Sequence, residues 1–105
     1  MIDLNILKQK NKSDSLEYIY KEINDFILDK EIRSDRKYKI IDQLIVDFVN
    51  DGTFLFSVHV GLLTATHRFK HKLRNRKLLW EKTIEMADFD KLSDVQIKST
   101  LNGLE

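Results

Sequence analysis

His67 and His71 stand four residues apart. On an α-helix that spacing puts both imidazoles on one face, as divalent metals use it. No Asp or Glu lies between them, and Arg68, Lys70, Lys72, Arg74 and Arg76 surround them with positive charge. Such a neighbourhood repels a divalent cation, so neither a metal nor any other cofactor is expected. The carboxylates Asp25 and Asp29, and again Asp47 and Asp51, also recur at four-residue spacing. Paired acids can share proton transfer or hold Mg²⁺. Here they fall at the ends of apolar-periodic stretches, beside lysines and without a Gly-rich loop, which is the pattern of solvated helix faces. His59 lies in an uncharged stretch and reads as a core or interface histidine. No Ser–His–Asp set or phosphate loop can be assembled from spacing. The chain has no cysteine, which removes thiol nucleophiles, disulfides and zinc–thiolate sites together. The expectation is a protein that is not an enzyme.

The chemistry that remains is electrostatic. Arg68, Lys70, Lys72, Arg74, Arg76 and Lys77 follow one another without an acidic residue, and Gly52 to Thr66 just before them carries no charge at all. Clustered cations raise the local potential and steer anionic surfaces toward them. Arg holds carboxylates or phosphates in bidentate fashion, while Lys acts as a point charge. The expected partner-binding residues are therefore Arg68, Phe69, Lys70, Lys72, Arg74, Arg76, Lys77 and Trp80, with Phe69 or Trp80 as an apolar anchor. Three readings stand side by side: an acidic protein surface as partner, a nucleic-acid backbone, or a solvated stretch that pairs internally with the chain's own acidic helices.

Whole-chain balance weighs on that choice. The net charge is only +1, yet it is segregated: residues 67–82 carry seven basic against one acidic residue, while 1–51 and 83–105 are each net negative. A generic polyanion binder would be basic throughout, so an acidic protein partner leads and nucleic acid follows.

The elements that must present these residues read as helices. There is no proline, and glycine occurs only at positions 52, 61 and 103, too few for the turns of a sheet protein. Ser13 is placed to cap a helix over Asp14 to Asp29, in which Leu16, Ile19, Tyr20, Ile23, Phe26 and Ile27 recur at helical spacing. Ser34 is placed to cap a second helix carrying Ile40, Ile41, Leu44, Ile45, Phe48 and Val49, stopped at Gly52 in the left-handed conformation. The two should form an antiparallel hairpin. Thr53 to Val60 has the β-branched and aromatic content of a strand, but no strand partner exists elsewhere, so Phe56 to Thr66 is expected as a central, all-round apolar helix. His67 to Arg74 is either its extension or a basic loop. Asn75 then caps a helix over Arg76 to Ala87, Asp88 to Leu92 links, and Ser93 caps a last helix stopped by Gly103.

At 105 residues the chain is one domain, 1–105, and its 42% hydrophobic content is enough to support a core. The expected fold is an all-α compact bundle of five or six short helices, with Leu16, Ile19, Ile23, Ile27, Ile41, Leu44, Ile45, Phe48, Leu62, Leu63, Leu79 and Ile84 inside. No run approaches the roughly 20 apolar residues that span a bilayer. No membrane association is expected, and the cytosol is the expected location. The long uncharged segment also admits a homodimer as a way of covering it.

The stretch from Gly61 to Arg76, with Leu78, Leu79 and Trp80 after it, resembles small helical bacterial immunity-type proteins. The shared pattern is a Leu-Leu-x-x-Thr helix end at Leu62 to Thr66, a basic connection, Leu-x-x-Arg at Leu73 to Arg76, and another amphipathic helix. Ile41-Asp42-Gln43-Leu44 and Asp51-Gly52-Thr53-Phe54 also resemble that pattern. About half of the chain is covered. Such sequences commonly carry a proline after the Thr, where this chain has His67-Arg68. The resemblance implies a bacterial or phage-borne inhibitor that neutralises a toxin-like partner by steric occlusion.

Overall fold

The computed structural model describes residues 1–89 and 93–105. Its helices are α1 (Leu4–Lys8), α2 (Lys12–Leu28), α3 (Ser34–Asp51), α4 (Phe56–Thr66), α5 (Arg76–Phe89) and α6 (Asp94–Leu101), with a 3-10 segment, His67–Lys72, between α4 and α5. No strand occurs among the described residues, and the fold is an all-α bundle.

Local chemistry explains most boundaries. The Asp3 carboxylate accepts the backbone N–H groups of Asn5 and Ile6 and so starts α1, a helix that the mixed composition before Lys12 concealed. Asn11, not Ser13, caps α2: its side-chain oxygen accepts Asp14 N–H at 2.8 Å. Both residues are competent caps, and the earlier one wins because Ser15 is then buried against the Lys10 carbonyl. Ser34 is the first residue of α3 rather than its cap, a position taken by Arg33 without a side-chain bond. At the other end Gly52 has φ 73°, the left-handed stop that the sequence suggested. Ser93 caps α6 in a reciprocal box with Gln96. Of the expected linker, Asp88 and Phe89 continue α5 and residues 90–92 lie outside the described residues.

Helix α4 is the centre of the bundle. It packs chiefly against α2 and also against α5, whereas α3 packs on α5 and meets α2 only lightly. The expected α2–α3 hairpin is thus subordinate to the pairing of α2 with α4. Gly61 makes that pairing close: a Cβ there would lie 2.5 Å from Leu16 Cδ2. Burial follows, with Ile19, Ile23, Ile41, Leu44, Ile45, Phe48, Leu62, Leu63 and Leu79 inside as expected. Leu16, Ile27 and Ile84 are only half-buried, and Leu7, Phe26, Phe54, Val58, Phe69, Leu73 and Leu101 complete the core. Ser15, Lys37, His59, Thr66, Arg76 and Thr83 are buried with it. His59 lies edge-on to the Phe48 ring, and buried Lys37 donates to the Ile27 carbonyl at 2.8 Å, at the end of α2.

No helix among the described residues is long and apolar enough to cross a membrane.

Candidate interaction face

The basic run is neither a continuation of α4 nor a free loop. Thr66 Oγ1 donates to the carbonyls of Leu62 and Leu63, which diverts the last turn of α4 from regular helix. The chain tightens into the 3-10 segment, breaks its dihedrals at Phe69 (φ −123°, ψ 28°), and leaves in extended form at Leu73. Phe69 and Leu73 are buried, and between them His71 and Lys72 are exposed while Lys70 is half-buried. A 3-10 turn advances about 120° per residue, so positions four apart diverge instead of stacking. His67 and His71 accordingly do not share a face: His67 is half-buried with Nδ1 sealed and unbonded, while His71 is exposed. Among the described residues, no cluster of three or more His, Asp or Glu is arranged to hold a metal ion.

Both ends of the segment are pinned. At its start the Arg68 guanidinium donates to Asn24 Oδ1 at 3.2 Å and lies 5.7 Å from the Phe69 ring centre. At its end Asp42 of α3 accepts Arg74 N–H at 3.1 Å and Asn75 N–H at 2.9 Å, and the Asn75 side-chain amide donates to the Asp42 carbonyl. α5 has no acidic residue in its first turn, so Asp42 supplies the negative charge that its N-terminus favours.

The expected contact residues then divide. Lys72 and Arg74 are exposed, and their side chains have no ion pair or hydrogen bond among the described residues. Lys77 is exposed and 3.8 Å from Glu81 on its own helix, an i,i+4 pair that restrains it little. Lys70 is half-buried and donates to the main-chain oxygen of Glu105 at 2.8 Å. Trp80 is half-buried and forms a wall shared by two shallow depressions. Arg76 is only 5% exposed. Its Nε donates to Thr66 Oγ1 at 3.1 Å, and its Nη2 to the carbonyls of Leu63 at 2.8 Å and Leu104 at 2.6 Å. Burial lowers its pKa from the ordinary value, yet a guanidinium stays charged in proteins. The cation therefore rests against the C-terminal carbonyls of α4, a helix with no basic residue in its own last turn. Arg76 builds the turn that its neighbours decorate.

The carboxylate pairs do not converge on a site. Asp25 pairs with Lys21, Asp47 accepts from Gln43, and Asp29 accepts the Glu31 N–H. Asp51 bonds Lys8 and Thr53, and those hydrogen bonds hold its carboxyl below the usual range. Burial pushes His59 down to about 4, with Lys82 adding to the effect.

Asp42 is the site residue that sequence reasoning missed. It sits among the apolar positions of α3 with nothing local to mark it, and only the fold brings it to Asn75. Comparison with known proteins adds no relative: no protein-family model, no curated protein and no solved structure matches this chain.

Proposed function

We propose that this chain is a non-enzymatic protein-binding module that neutralises an acidic partner by covering it, in the manner of an immunity-type inhibitor in the cytosol. The observation that carries this reading is the exposed, unpaired display of Lys72 and Arg74, with Arg68 and Lys77 beside them, on a turn whose backbone is anchored at both ends. A turn whose backbone is already anchored loses little backbone entropy on docking, which favours specific contact over diffuse attraction. An acidic protein is favoured over nucleic acid because the helices of residues 1–51 and 83–105 are each net negative and the net charge is +1. A nucleic acid would bring phosphates along a path that those helices repel.

The test pairs capture with reconstitution. A protein captured from the native host is identified, purified and titrated against the wild type and a variant carrying Lys72→Glu and Arg74→Glu. Loss of binding with unchanged helicity supports the reading. In parallel, a nonspecific DNA duplex is titrated over a range of salt. A log–log slope of roughly −3 or steeper would assign the face to phosphates instead.

A further inference from the structure

The chain has six asparagines, at positions 5, 11, 24, 50, 75 and 102, and only Asn102 precedes a glycine. That order matters chemically. A main-chain nitrogen can attack the side-chain amide carbon of the asparagine before it, and a side chain on the attacking residue crowds the approach. Glycine has no Cβ to obstruct it.

The fold leaves this pair unguarded. Asn102 directly follows α6, and both it and Gly103 are exposed. The N–H groups on either side of Gly103 are engaged: Asn102 donates to the Lys98 carbonyl at 2.9 Å and Leu104 to the Leu101 carbonyl at 3.0 Å. Among the described residues the Gly103 N–H has no acceptor, and the Asn102 side chain makes no hydrogen bond. Gly103 has φ +80°, and a Cβ added there would meet nothing within 4 Å, so the pair has open space in which to turn. The other asparagines are held. Asn5, Asn24 and Asn50 lie inside helices, while Asn11 and Asn75 bond Asp14 and Asp42 through their side chains. Asp51, which precedes Gly52, is bonded to Lys8 and Thr53, and an ionised carboxylate is a poor electrophile.

We infer that Asn102 is a site of spontaneous covalent modification, at which the chain converts its own side-chain amide to a carboxylate. The Gly103 nitrogen bonds to the Asn102 side-chain amide carbon. The bond from that carbon to its own nitrogen breaks, the Gly103 proton leaves with that nitrogen as ammonia, and a cyclic succinimide remains. Water then opens the ring at one of its two carbonyl carbons. Opening at the side-chain carbon gives aspartate. Opening at the main-chain carbon gives isoaspartate, in which the backbone runs through the former side chain. Water is the only co-reactant, and no electrons change hands. Either product takes the net charge from +1 to zero. The new anion stands in the shallow depression that Asn102 borders together with Lys98 and Trp80. The isoaspartyl form also adds one main-chain atom just before the residue whose carbonyl Arg76 holds at 2.6 Å, Leu104.

The experiment incubates the full chain in warm, mildly alkaline buffer and samples it over days. Trypsin cuts after Lys98 and releases Ser99–Glu105. Mass spectrometry of that peptide reads the gain from amide to acid, and chromatography separates isoaspartate from aspartate. Asn102 should convert at least about tenfold faster than any other asparagine of the folded chain. Gly103→Ala should slow the conversion by about tenfold, even though it strains a left-handed turn, because the new Cβ crowds the attack. Asn102→Gln, which would have to close a larger ring, should show almost no gain. Circular dichroism confirms that each variant is folded. Conversion of Asn102 at the pace of Asn24 or Asn50 would overturn the inference, as would equal rates in the wild type and Gly103→Ala. A product containing aspartate alone would also overturn it, because direct hydrolysis by water makes no isoaspartate.

Discussion

The Asp42 carboxylate accepts the N–H groups of Arg74 and Asn75 from 32 and 33 residues away, and so fixes where α5 begins. One side chain on α3 thereby sets the register of the whole basic connection. Asp42→Ala should cost about 1–2 kcal/mol, the usual loss of a capping carboxylate. Asp42→Asn, which keeps one acceptor, should lose about half as much. Urea melts followed through Trp80 measure both.

Arg76 joins α4, α5 and the segment after α6 through three hydrogen bonds. Arg76→Ala strands buried carbonyls and should destabilise by about 2–4 kcal/mol. Arg76→Lys should recover little, because an ammonium cannot reproduce the planar fork. A lysine variant as stable as the wild type would show that charge alone, not geometry, holds the joint.

His59 makes stability depend on pH. Its pKa falls from 6.5 to about 4 on folding, so the unfolded chain binds the proton more readily between those values. Stability is therefore undiminished above pH 6.5 and declines as pH falls toward about 4, by about 3 kcal/mol from this group. His59→Phe should flatten that part of the profile, as read from thermal melts at stepped pH. A slope unchanged by the substitution would place the acid sensitivity elsewhere.

Gly61 sets the spacing of α2 and α4. Gly61→Ala should be nearly neutral, because the Leu16 methyl it meets can swing away and alanine favours the helix. Gly61→Leu should cost about 2–3 kcal/mol by overpacking. Chemical denaturation of the pair separates the two outcomes.

The helices were legible wherever periodicity and caps were strong. The Ser93 cap was evident because Ser93 directly precedes the last apolar-periodic stretch, whereas the start of Phe56–Thr66 has strand-like content and reads as helix only for want of a strand partner. The principal partner of α2 was not evident, because an apolar stripe states which face is buried and not what covers it. In the basic run, sequence shows cations but not their direction. Phe69 and Leu73 turn inward, and Arg76 follows them only because Thr66 and Leu63 present oxygens to it. Those partners are ten and thirteen residues away, beyond any local pattern. Exposure of Lys72 and Arg74 beside burial of Arg76 is a tertiary fact.

The central claim is that the outward cations, and not the buried one, carry recognition. Its most direct test is the affinity of the purified partner for the variant with both Lys72→Glu and Arg74→Glu, whose side chains have no partner among the described residues. Binding should weaken at least about tenfold while the melting temperature stays within about 2 °C of wild type. Undiminished affinity in a folded double variant would contradict the account.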